Sequence, residues 1–202
     1  MFYILEGLGY FLFLWLDSKY LFSISSVIKY ACVIGCLLFL LYRFIEKREF
    51  RVQISMLALA VIADYFLLFT NQHKIGVFIF CLLQCCYTKI LYNQIDYISL
   101  LFPYIFISFF VDVMFLSGIY AVHSVINLVT AWVMHVKTKD RKNMYLFIAI
   151  LLLLLCDIHV VLQHMQWFPE YQQVIGFMIW LFYLPSLWCL LRSYTLSSKV
   201  MV

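Results

Sequence analysis

Two aspartates stand where the surrounding sequence is almost wholly apolar. Asp64 lies in the run Ser55 to Leu68, and Asp157 follows five consecutive leucines, Leu151 to Leu155, and Cys156. At about 1.5 Å of rise per helical residue, Asp64 falls about ten residues deep, near the middle of a bilayer core roughly 30 Å thick, and Asp157 slightly beyond it. An ionisable side chain at that depth costs several kcal/mol unless it faces protein or a wet cavity, so each is a candidate functional residue. Two carboxyls at similar depth can divide proton donation and base catalysis between them, the protonated one donating and the ionised one stabilising positive charge. The structural alternative is that each carboxyl is a protonated or paired acceptor that fixes helix packing. Polar companions are Lys29, Gln84, Tyr87, His123, Asn127 and Tyr183. Lys29 is open to three readings: snorkelling to the interface, contact with a lipid phosphate, or pairing with Asp64 or Asp157.

The elements that must position these residues follow from composition. The 202 residues are 66% apolar, 20% aromatic and only 12% charged, with a mean hydropathy of +0.99. A soluble domain carries about 25% charged residues, so this chain is expected to be an all-α, polytopic membrane protein forming a single integral membrane domain over 1–202. Polar breaks at Asp17 to Lys19, Arg43 to Arg51, Asn71 to Lys74, Asn93 to Asp96, Leu116 to Gly118, Lys137 to Lys142 and Gln163 to Gln173 divide it into eight segments. These are predicted near 2–16, 22–42, 53–70, 75–92, 97–114, 117–136, 143–163 and 173–194. The first has no basic leader and no small-residue cleavage site, so it is expected to remain as a spanning helix. With eight crossings, 11 of the 14 Lys and Arg residues share a face with both termini, which predicts cytoplasmic termini, in a cytoplasmic membrane.

The net charge of +4 is small and dispersed, which speaks against a nucleic-acid partner. The seven cysteines all fall inside apolar segments, where packing explains them better than disulfides or metal ligation. Asp157, His159 and His164 lack the i, i+4 histidine pair of helical zinc sites, so no metal is expected. No nucleophile elbow, phosphate-binding glycine loop or dinucleotide fingerprint occurs. One internal echo does: Asp64 is followed by Ile75-Gly76 and Asp157 by Ile175-Gly176, a pattern that suggests a four-plus-four duplication.

The order of these residues resembles the YhhN-like membrane proteins, which include the animal lysoplasmalogenases, over most of the chain. The family reads Gly-Asp, a short loop, then Gly-x-x-x-Phe-x-x-x-His-x-x-Tyr. Here Ala63-Asp64, Gly76, Phe80, Gln84 and Tyr87 keep that spacing, with Gln84 in the histidine's place. Cys156-Asp157 and Tyr183 to Ser186 are similar to its Ser-Asp and Tyr-x-x-Gln, and Lys29-Tyr30 to its Lys-Pro. The resemblance implies an eight-helix fold that hydrolyses the vinyl ether bond of lysoplasmalogens to a fatty aldehyde and a glycerophospho head group. It also implies catalytic roles for Asp64 and Asp157. Lys29, Gln84, Tyr87, Asn127 and Tyr183 would then bind or orient a single-chain membrane lipid, with no metal or organic cofactor required. Two other readings stay open: a small proton-coupled transporter or lipid-binding protein, and a catalytically silent member of the family.

Overall fold

The computed structural model describes residues 2–44, 50–70, 72–92 and 110–197. Among them every element is helical: α1 (Phe2–Ser18), α2 (Phe22–Phe44), α3 (Arg51–Phe69), α4 (His73–Leu91), α5 (Val113–Thr138), α6 (Arg141–Met165), a 3₁₀ turn (Pro169–Tyr171) and α7 (Gln172–Ser197). Six of them, α2 to α7, are long and apolar enough to cross a bilayer, the make-up of an integral membrane protein. At 17 residues α1 is the shortest, roughly 25 Å of helix.

The predicted segments and the helices agree closely, and their differences are instructive. The fifth segment, 97–114, lies mostly outside the described residues. The expected break at Leu116 to Gly118 is instead continuous helix inside α5, and the chain bends earlier, at Val111. The reason is Asp112, whose Oδ1 accepts the Phe115 backbone N–H at 2.8 Å. It supplies the acceptor that the first turn of a helix lacks. Asp140 does the same for α6 by accepting from the Lys142 amide. Asp17, expected to break the chain, is instead a buried residue of α1, and the turn comes at Tyr20 with a left-handed φ of 61°.

The chain forms two compact units, one from Met1–Cys32 and Leu128–Val202 and the other from Val33–Asn127. In the first, α6 packs along α7, and α1 also packs on α7. Its core includes Phe13, Leu153, Leu184, Leu190 and Leu191. In the second, α3 packs against α4. Its core includes Met56, Leu57, Cys81, Cys85 and Leu116, with the Cys81 and Cys85 thiols packed beside Leu116 and Tyr120. All seven cysteines are thiols, six of them buried, and they act as small apolar side chains.

Pro185 sits inside α7, where it has no N–H to give the carbonyl four residues back. That carbonyl, Leu181 O, accepts instead from the Tyr10 hydroxyl of α1 at 3.5 Å. A neighbouring helix thus supplies the donor the proline removed, as lipid cannot. The two echoed glycines do similar work in the two hairpins. A Cβ on Gly76 would lie 2.6 Å from the Leu67 side chain, and one on Gly176 would lie 3.2 Å from Gln163 Nε2. In each case the missing side chain lets the helix approach the one before it.

Candidate functional site

Asp64 is buried in α3, only 5% exposed. Asp157 is half-buried in α6, 17 residues beyond the Asp140 cap. Asp64 belongs to the second unit and Asp157 to the first. The remaining predicted residues separate in the same way, into a charged cluster and a neutral one.

In the second unit, Gln84 and Asn127 meet directly. α4 presents Gln84, Tyr87 and Thr88 on one face because three- and four-residue spacings recur on one side of a helix, and all three are buried. Asn127, fully buried on α5, donates through Nδ2 to Gln84 Oε1 at 2.9 Å and to the Gln84 carbonyl at 3.1 Å. Gln84 Nε2 in turn donates to the Tyr120 hydroxyl at 3.1 Å. Thr88 Oγ1 has Asn127 Oδ1 at 2.9 Å, the Gln84 carbonyl at 3.1 Å and His123 Nε2 at 2.7 Å. A threonine hydroxyl has one proton and two acceptor sites. That one proton is shared between the Asn127 and Gln84 oxygens, and the His123 ring nitrogen is the third partner of the hydroxyl. Gln84 is the hub: its amide accepts from Asn127 and donates to Tyr120 at once. His123 also borders a groove of about 820 Å³ on α5. Asp112 stands at the groove's polar end, and Phe115, Ile119, Val122 and Ile126 form its walls. That volume is within the range of about 300–1,000 Å³ typical of small-molecule sites.

In the first unit, the Lys29 ammonium lies 2.6 Å from Asp17 Oδ2, a partner that none of the three readings of Lys29 named. Both side chains are nearly inaccessible, at 9% and 11% exposure. The ammonium also lies over two aromatic rings, 5.2 Å from Trp180 and 5.6 Å from Phe13, within reach of the cation–π attraction. Phe13 and Trp180 are themselves edge to face at 5.6 Å, and Trp180 is edge to face with buried Tyr183 at 5.4 Å. Trp180 therefore joins Lys29 and Tyr183, two predicted residues, in one cluster. α1 supplies a continuous inward face of Glu6, Tyr10, Phe13 and Asp17, all buried, at offsets of four, seven and eleven residues. The Glu6 carboxyl meets the Cys32 thiol of α2.

Sequence reasoning passed over Glu6 and Asp17. Asp17 stands beside Ser18 and Lys19 and reads as a polar break, and Glu6 lies too near the chain start to read as membrane-embedded. The i, i+4, i+7, i+11 spacing of Glu6, Tyr10, Phe13 and Asp17 was the available signal. Among the described residues no group of three or more His, Cys, Asp and Glu side chains is placed to hold a metal ion. No protein-family model matches the chain, and it matches no curated protein and no solved structure.

Proposed function

We propose that this protein is a membrane-embedded hydrolase of vinyl ether lysolipids, with Asp64 and Asp157 as its acid and base. The observation that carries the reading is Asp64: a carboxyl 5% exposed inside the apolar helix α3, five residues before its last residue, Phe69. A carboxyl is one of the side chains that serve as general acids and bases. Vinyl ether cleavage needs a proton delivered to the alkene carbon, which leaves an oxocarbenium ion. Water adds to that cation as a carboxylate takes its proton, and the hemiacetal collapses to a fatty aldehyde and an alcohol. Two carboxyls suffice, and the cation resembles the one glycosidases stabilise. The motif resemblance to YhhN-like proteins supports the same pair. Within this reading the protein has eight crossings, the eighth over 97–114, in a four-plus-four arrangement. Both termini face the cytoplasm, and the protein resides in the cytoplasmic membrane.

The deciding experiment incubates purified chain with a lysoplasmalogen and with its saturated alkyl ether analogue, and measures free aldehyde. Aldehyde should come from the vinyl ether alone. Asp64→Asn or Asp157→Asn should each lower the rate by about 10²–10⁴, the usual contribution of a general acid or base. Undiminished aldehyde release in both folded variants would remove the aspartates from the mechanism. One observation favours a second reading, a lipid-binding protein without turnover: the α5 groove beside His123. Saturable lipid binding with no aldehyde from the unaltered chain would select it.

A further inference from the structure

The Lys29 cluster has the composition of a receptor for a cation. One carboxylate and two aromatic faces surround a single ammonium, and such a set recognises any ammonium group, whether or not it is tethered to the chain. Three features distinguish it from an ion pair that merely holds helices together. The first is Asp17 Oδ1, which is buried and receives no donor among the described residues, so the carboxylate keeps an acceptor that Lys29 does not use. The second is the position of the cluster. Asp17 is the penultimate residue of α1, and Lys29 stands seven residues into α2. Helical side chains lean toward the helix N-terminus, which carries the ammonium back toward the turn between α1 and α2 and so toward the level of the lipid head groups. The third is the occupant itself. A lysine has a flexible four-carbon stem that can leave such a box and snorkel to the interface, so the box can be vacated without unfolding a helix.

We infer that Asp17, Phe13 and Trp180 form a binding site for the ammonium group of a lipid head group, and that Lys29 is its tethered resident, displaced when the lipid binds. The site stands apart from the hydrolase reading, since it requires neither Asp64 nor Asp157.

The reading makes an unusual demand: removing a positive charge should improve the binding of a positive ligand. The full chain in neutral detergent is titrated with tetramethylammonium chloride against sodium chloride of equal ionic strength, with Trp fluorescence and melting temperature as readouts. Lys29→Ala should bind tetramethylammonium about tenfold more tightly than the unaltered chain, the gain expected from a desolvated cation–π contact freed of its competitor. The ligand should raise that variant's melting temperature, and adding Asp17→Asn should abolish both effects. Equal affinity in the unaltered and Lys29→Ala chains, or rescue that survives Asp17→Asn, would overturn the proposal. If Lys29→Ala does not fold, the unaltered chain decides. Short-chain phosphatidylethanolamine should raise its melting temperature above that given by phosphatidylglycerol of the same chain length, and Trp180→Leu should erase the difference. An equal shift with both lipids overturns the assignment. A shift with free ethanolamine as large as that with the lipid would overturn the lipid as the source of the ammonium.

Discussion

The two compact units bury polar groups by opposite means. The first buries full charges, Lys29 against Asp17, and surrounds them with aromatic rings. The second, besides the Asp64 carboxyl, gathers neutral groups, Gln84, Thr88 and Asn127, in one hydrogen-bonded network. A compensated ion pair is tolerable in an apolar interior, but each member becomes a severe liability when the other is lost. A neutral amide left without its partner costs the desolvation of one dipole. The first arrangement therefore concentrates its energy in one pair, and the second spreads it over several bonds. This suits a ligand-exchange role for the Lys29 box and a positioning role for the network that orients His123.

The largest effect expected from this contrast is at the ion pair. Lys29→Met or Asp17→Asn alone should lower stability by about 3–5 kcal/mol, while Lys29→Met combined with Asp17→Leu should recover most of the loss, because an apolar pair of similar volume replaces a buried ion pair at little cost. Unfolding in detergent measures all three, and a double variant as unstable as the singles would show that the aromatic box, not the charge pairing, carries the energy. In the neutral network, Asn127→Leu should cost about 1–3 kcal/mol by leaving Gln84 Oε1 without its donor. A loss as large as that of the ion-pair singles would erase the distinction between the units. The smallest effect separates the two hairpins. Gly76→Ala forces a Cβ against the branched Leu67 side chain and should destabilise by about 1–3 kcal/mol. At Gly176 the opposing atom is the far end of Gln163, which can swing aside. Gly176→Ala should accordingly be neutral or gain up to about 1 kcal/mol from helix propensity. Equal destabilisation at both would mean that the hairpins are packed alike.

Helix positions were the most legible part of the sequence, because a segment in lipid must satisfy its backbone internally and shows this as an unbroken apolar run. The seam at Leu116 to Gly118 misled because serine and glycine weaken a helix in water. In α5, Ser117 returns its hydroxyl to the Val113 carbonyl, and the cap at Asp112 had already set the start. Gln84 and Asn127 were both legible as candidates, but their partnership was not, since 43 positions separate them.

The amino-acid sequence by itself determined that this is an all-α chain with helices suited to a bilayer, and it marked Asp64, Asp157, Lys29, Gln84 and Asn127, because a polar side chain in an apolar run is anomalous whatever its surroundings. Which side chains answer one another was decided only by the tertiary structure. Lys29 meets Asp17 rather than Asp64 or Asp157 because pairing depends on the face each helix turns inward and on its lean against its neighbours. Hydropathy along one chain contains neither of these.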